Sequence, residues 1–111
     1  MPHLDYTAVT SGGRAFDMRF PLHPETTSRD QVAAMLTHTL ASINDTVAGG
    51  AAAAGSAVSD GDILQALAMA MAVRARMIEA PPATSLRLMH ELVDTAYAAA
   101  LQAQDYSAGR S

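Results

Sequence analysis

The chain has no cysteine, which removes disulfides, thiolate nucleophiles and cysteine-based zinc sites. It has no lysine either, since its seven basic residues are all arginine. Lysine Schiff bases and a phosphate-loop lysine are therefore excluded. The arginines are scattered rather than clustered, and the net charge is −4. A nucleic-acid surface needs concentrated positive charge to neutralise phosphates, so none is expected. Tryptophan is absent and aromatic residues make up only 5%, so any core must be built without many large rings. The longest apolar run, Ala66 to Val73, falls far short of the ~20 residues that span a bilayer. The N-terminus lacks the basic-then-apolar order of a signal peptide, with Asp5, Arg14, Asp17 and Arg19 dispersed through it. No membrane association and a cytoplasmic protein are the expectation.

What is abundant is alanine, within a hydrophobic fraction of 50%. Alanine is the best helix former but fills little volume, so helices must approach closely or recruit a second chain to bury enough surface. A length of 111 residues suits a single domain, 1–111.

The chain is organised around Ser59 to Glu79. Ser59 or Asp60 supplies a helix cap and Asp62 adds negative charge near the positive end of the dipole. Between Ala66 and Val73 no polar residue interrupts the sequence, so this helix, 60–80, is apolar all round its middle. Such a helix is normally surrounded by other elements.

Residues 4–22 read as a β-hairpin. Leu4, Tyr6 and Ala8 alternate with polar positions, as do Phe16, Met18, Phe20 and Leu22, and Ser11-Gly12-Gly13 supplies the turn. A two-residue loop would set Asp5 against Phe20. A three-residue loop pairs Ala8 with Phe16, Tyr6 with Met18 and Leu4 with Phe20, which collects the apolar residues on one face. The longer loop is therefore expected. A lone hairpin is marginal in water, so this one must lie on the helices, pair with another hairpin in a dimer, or both.

The first helix, 28–48, opens with Ser28 and Gln31 at capping-box spacing. Val32, Met35, Leu36, Thr39, Leu40, Ile43 and Val47 form its apolar stripe. Gly49-Gly50 is expected to end it, and 49–58 to form a flexible connection. Pro81-Pro82 ends the central helix. The third helix, 82–104, should bury Leu86, Met89, Leu92, Val93, Ala96, Ala100 and Ala103, leaving 105–111 as a polar tail.

Few residues suggest chemistry. His90 and Asp94 lie one turn apart beside Tyr97 and could transfer protons, but the usual role of such a pair is a surface contact. His3, His23, His38 and His90 show no metal-ligand spacing, so no metal is expected. Met69, Met71, Met77 and Met89 read as gap-fillers in an alanine-rich core. The Gly-Gly pairs match no phosphate-loop pattern. Arg74 breaks its surroundings: it falls between Ile63 and Leu67 on one side and Ile78, Met71 and Leu64 on the other. A guanidinium there must reach water along its stem, pair with a carboxylate or hold an anionic ligand.

The expected architecture is thus mainly α, an N-terminal β-hairpin followed by a three-helix bundle, assembled as a homodimer. The expected function is a non-catalytic structural, assembly or regulatory module that acts through protein–protein contact, with itself or another protein. No cofactor is implied. The alternative is a binder of a small anionic ligand, or a minor enzyme, using Arg74 with His90 and Asp94.

Overall fold

A computed structural model describes residues 2–9, 14–54 and 58–107. Two antiparallel strands, β1 (His3–Val9) and β2 (Arg14–Pro21), are followed by α1 (Arg29–Ala54), α2 (Asp60–Arg76), α3 (Pro82–Leu101) and a short strand β3 (Gln104–Ser107). The chain divides into two compact units. One contains residues 1–35 and 90–111, the other residues 36–89.

In the first unit the hairpin has the expected register, with Leu4 opposite Phe20, Tyr6 opposite Met18 and Ala8 opposite Phe16. Asp5 and Arg19 fall opposite each other on the other face. The alternation is visible in the burial: Leu4 is buried and its apolar companions are half-buried, while Asp5, Thr7, Asp17 and Arg19 are exposed. The Ser11-Gly12-Gly13 turn lies outside the described residues. After β2 the Thr26 amide donates to the His23 carbonyl at 2.9 Å and the Glu25 amide to His23 Nδ1 at 3.2 Å, shaping the link to α1.

The last residues depart from the expected tail. Gln104–Ser107 adds β3 to the outer side of β2, giving a sheet of order β1-β2-β3. Ala15 and Tyr106 are backbone partners in this ladder. Ala15 in the middle strand is 2% exposed, and it and Leu4 are the only buried hydrophobic side chains among the described residues. Four polar and aromatic residues carry too weak a period to mark a strand. The open ladder on β2 makes them one.

The helix starts follow local chemistry. Ser28 Oγ accepts from the Gln31 amide at 3.4 Å. Ser59 and Asp62 form a full capping box: the Asp62 amide donates to Ser59 Oγ at 3.0 Å, and the Ser59 amide to Asp62 Oδ2 at 3.1 Å. Pro82 takes the first position of α3, where a missing N–H costs nothing, and the Pro81 carbonyl accepts from Thr84 and Ser85.

Three boundaries differ from expectation. α3 ends at Leu101 rather than 104, its last turn tightening as the Gln102 amide donates to the Ala99 carbonyl and the Ala103 amide to that of Ala100. α1 continues through Gly49-Gly50 to Ala54, because a glycine in an exposed helix costs only about 1 kcal/mol relative to alanine and four strong helix formers follow. α2 stops at Arg76, short of Ala80. Its end tightens as the Met77 amide donates to the Arg74 carbonyl and the Ile78 amide to that of Ala75.

The largest departure concerns burial. Neither α2 nor α3 has a buried residue. On α3, Leu86, Leu92 and Val93, expected inside, are 43–51% exposed. On α2 and at its C-cap, Leu64, Met69, Val73 and Met77 are 58–67% exposed. The apolar stripes are where the periodicity puts them, but among the described residues many of their large side chains are exposed.

Candidate functional site

The three residues singled out for ligand binding are distributed over both units. Arg74 lies on α2 in the second unit, and His90 and Asp94 on α3 in the first. All three are exposed. No salt bridge joins any of them to a described residue. Arg74 sits one turn beyond Ala70 on the face of α2 that carries Ile63 and Leu67. Being exposed near the helix end, its guanidinium has water available, the geometry of a side chain that extends along its stem. Arg74→Ala is accordingly expected to change the stability of the free protein by less than about 0.5 kcal/mol. A thermal melt in the presence of phosphate or small carboxylates gives the discriminating result. An anion-induced rise in Tm that the variant loses would assign a binding role to Arg74.

Polar chemistry is concentrated instead on the exposed face of the sheet. Arg19 Nε donates to Asp5 Oδ1 at 2.8 Å, and Thr7 Oγ1 to Asp17 Oδ1. The hydrogen bond from Arg19 is the main reason the Asp5 carboxyl is held below its ordinary value, and the same bond raises the Arg19 guanidinium. A depressed carboxyl stabilises the folded state above the ordinary carboxylate range, and that contribution fades as pH falls through the lowered value. Both side chains are about 70% exposed, so solvent screens the pair and its effect is small. The pair fixes cross-strand register rather than offering a reactive group.

A shallow depression of about 470 Å³ lies over this face, between the Asp5–Arg19 and Thr7–Asp17 pairs, Ala99 of α3 and Gln102 just beyond it. Its carboxylates already have partners, which leaves no nucleophile or base aimed into it. The larger concavity is in the second unit. There the C-terminal half of α1 and the first turns of α2 border a groove of about 660 Å³. Ile43, Val47, Ile63 and Leu67 form its apolar floor, and His38, Ser42, Thr46 and Asp62 its polar margin. Asp62 is committed to the Ser59 cap. Among the described residues no group of three His, Asp or Glu side chains is close enough to hold a metal ion, and no helix is long and apolar enough to cross a membrane.

The feature that residue-by-residue reading missed is the extent of open apolar surface. Val9 and Met35 add to the helix residues already named, and so do Met71, Ile78, Tyr97 and Leu101. Met69 and Val73 of α2 and its C-cap Met77 follow one another at four-residue spacing. Leu64 and Met71 lie at seven-residue spacing on another side of α2. The signal was present in the polar-free centre of this helix, but periodicity alone does not distinguish a stripe covered by its own chain from one covered by another. Comparison with protein-family models, curated proteins and solved structures finds no match for this chain.

Proposed function

We propose that this protein is a non-catalytic structural, assembly or regulatory module of the cytoplasm that acts through protein–protein contact, with a homodimer as its working form. The observation that carries the proposal is the run of large apolar side chains left open on the helices. Leu64, Met69 and Val73 of α2 and Leu86, Tyr97 and Leu101 of α3 are each more than half exposed. An obligate homodimer covers such side chains, commonly burying about 2,000 Å² or more. The residues available for that contact are apolar and large, far beyond the scattered singles of an ordinary surface.

The composition agrees with this reading. Catalysis needs convergent polar groups in a concave, water-poor site. The groove of the second unit instead has an apolar floor, and the sheet depression holds carboxylates already engaged by Arg19 and Thr7. The test is sedimentation equilibrium at micromolar concentration. Twice the chain mass is expected. A monomer with a single cooperative unfolding transition would overturn the homodimer.

A further inference from the structure

Hydrogen-bond parity decides which backbone groups of β1 face outward. The Leu22 amide donates to the Pro2 carbonyl at 2.9 Å. Residues 2 and 22 continue the His3–Pro21, Leu4–Phe20 register, so they form a hydrogen-bonded pair. In an antiparallel ladder such pairs alternate with non-hydrogen-bonded ones. Leu4, Tyr6 and Ala8 therefore spend their amides and carbonyls on β2, while His3, Asp5, Thr7 and Val9 direct theirs to the opposite edge. The sheet order leaves β1 as an outer strand, and Asp5, Thr7 and Val9 are exposed.

Sheet edges are usually blunted by proline, lysine, a bulge or a very short strand. β1 has seven residues, His-Leu-Asp-Tyr-Thr-Ala-Val, with no proline or lysine. It pairs with β2 residue for residue, without a bulge. Its one charged side chain that could repel a neighbour, Asp5, is already neutralised by Arg19. Among the described residues the edge is thus long, regular and without a further strand.

Resting on the homodimer reading above, we infer that the outer edge of β1 pairs antiparallel with the same edge of a second copy, joining two three-stranded sheets into one of six strands. The occupant is a second copy because a two-fold axis presents identical edges to each other and this edge complements itself: one register pairs all seven of its residues with no two carboxylates opposed. The register follows from length and charge. Outward residues must face outward residues, which leaves Asp5, Tyr6 or Thr7 as the residue on the axis. Centring on Asp5 sets two carboxylates opposite each other, which is destabilising. Centring on Thr7 uses only residues 5–9. Centring on Tyr6 pairs the whole of His3–Val9, with Asp5 opposite the copy's Thr7 and His3 opposite its Val9. It also sets Leu4 against Ala8 and Tyr6 against Tyr6 on the apolar face, extending that face without a break. The His3 carbonyl already accepts Arg29 Nη1 at 3.3 Å, and its second lone pair remains for the ladder.

The experiment reads amide exchange and mass on the full chain. In the wild-type dimer the amides of Asp5, Thr7 and Val9 should exchange at least about tenfold more slowly than in the dissociated chain, with protection lost on dilution. Thr7→Pro removes an outward N–H and leaves every β1–β2 bond intact, so it should raise the dissociation constant at least about a hundredfold. Thr7→Ala, which loses only the bond to Asp17, should dimerise as wild type does. A dimeric wild type with freely exchanging Asp5, Thr7 and Val9 overturns the edge pairing and leaves the homodimer standing. So does a Thr7→Pro dimer of unchanged affinity whose Leu4, Tyr6 and Ala8 amides stay protected. A monomeric wild type overturns both. If Thr7→Pro fails to fold, the wild-type exchange pattern decides alone.

Discussion

Val73→Glu is expected to convert the assembled protein into monomers without unfolding the chain. Val73 is 60% exposed and lies between Met69 of α2 and the C-cap Met77, at 58% and 66%, at four-residue spacing. In the isolated chain the new carboxylate would stand in water, and glutamate is a better helix former than valine, so local stability should hold or rise. In an assembly that covers this line the same carboxylate would be buried without a partner, once in each copy. A loss of about 3 kcal/mol or more, a hundredfold or more in dissociation constant, is expected from sedimentation or light scattering across a dilution series. Gln65→Glu, on the polar side of the same helix, provides the control and should leave the mass unchanged. If Val73→Glu associates as tightly as wild type, the Met69–Val73–Met77 line is not part of the contact.

The second large effect is expected at Leu4. It is 7% exposed, faces Phe20 across the ladder and is the larger of the two buried hydrophobic side chains among the described residues. Leu4→Ala should destabilise the protein by roughly 2–5 kcal/mol, the sum of lost transfer energy and the cavity left behind. Urea unfolding followed by circular dichroism measures it. Arg19→Ala, one position away from Phe20 but on the wet face, should leave the urea midpoint essentially unmoved, since its ion pair with Asp5 is exposed. Equal losses at the two positions would mean that the sheet's apolar face is not the one that carries its stability.

These expectations draw on different levels of the molecule, and so does what could be read beforehand. The hairpin register was decided by parity alone: moving the pairing by one residue puts Asp5 against Phe20, so the alternation of Leu4, Tyr6, Ala8, Phe16, Met18 and Phe20 admits one solution. The Ser59–Asp62 box and the Pro81-Pro82 break are equally local, because each is settled within one turn of backbone. The end of α1 departs from expectation for a related reason. Two glycines weaken a helix without forbidding it, and the alanines after them tip the balance toward continuation.

The candidate site was legible only as a set of residue types. Arg74, His90 and Asp94 stand out in the sequence because charge beside apolar neighbours is conspicuous, yet they occur on exposed surfaces of two different units. A one-dimensional spacing of i and i+4 places two side chains on one helix face, but convergence from separate elements depends on where the chain carries those elements.

From its sequence alone this protein takes a strand pair of defined register and three helices with defined starts, since alternation, capping and proline act over a few residues. Tertiary structure alone decided that 104–107 becomes a third strand and that the stripes of α2 and α3 lie open. A strand exists only against the ladder that accepts it, and burial belongs to a pair of surfaces, of which periodicity specifies one.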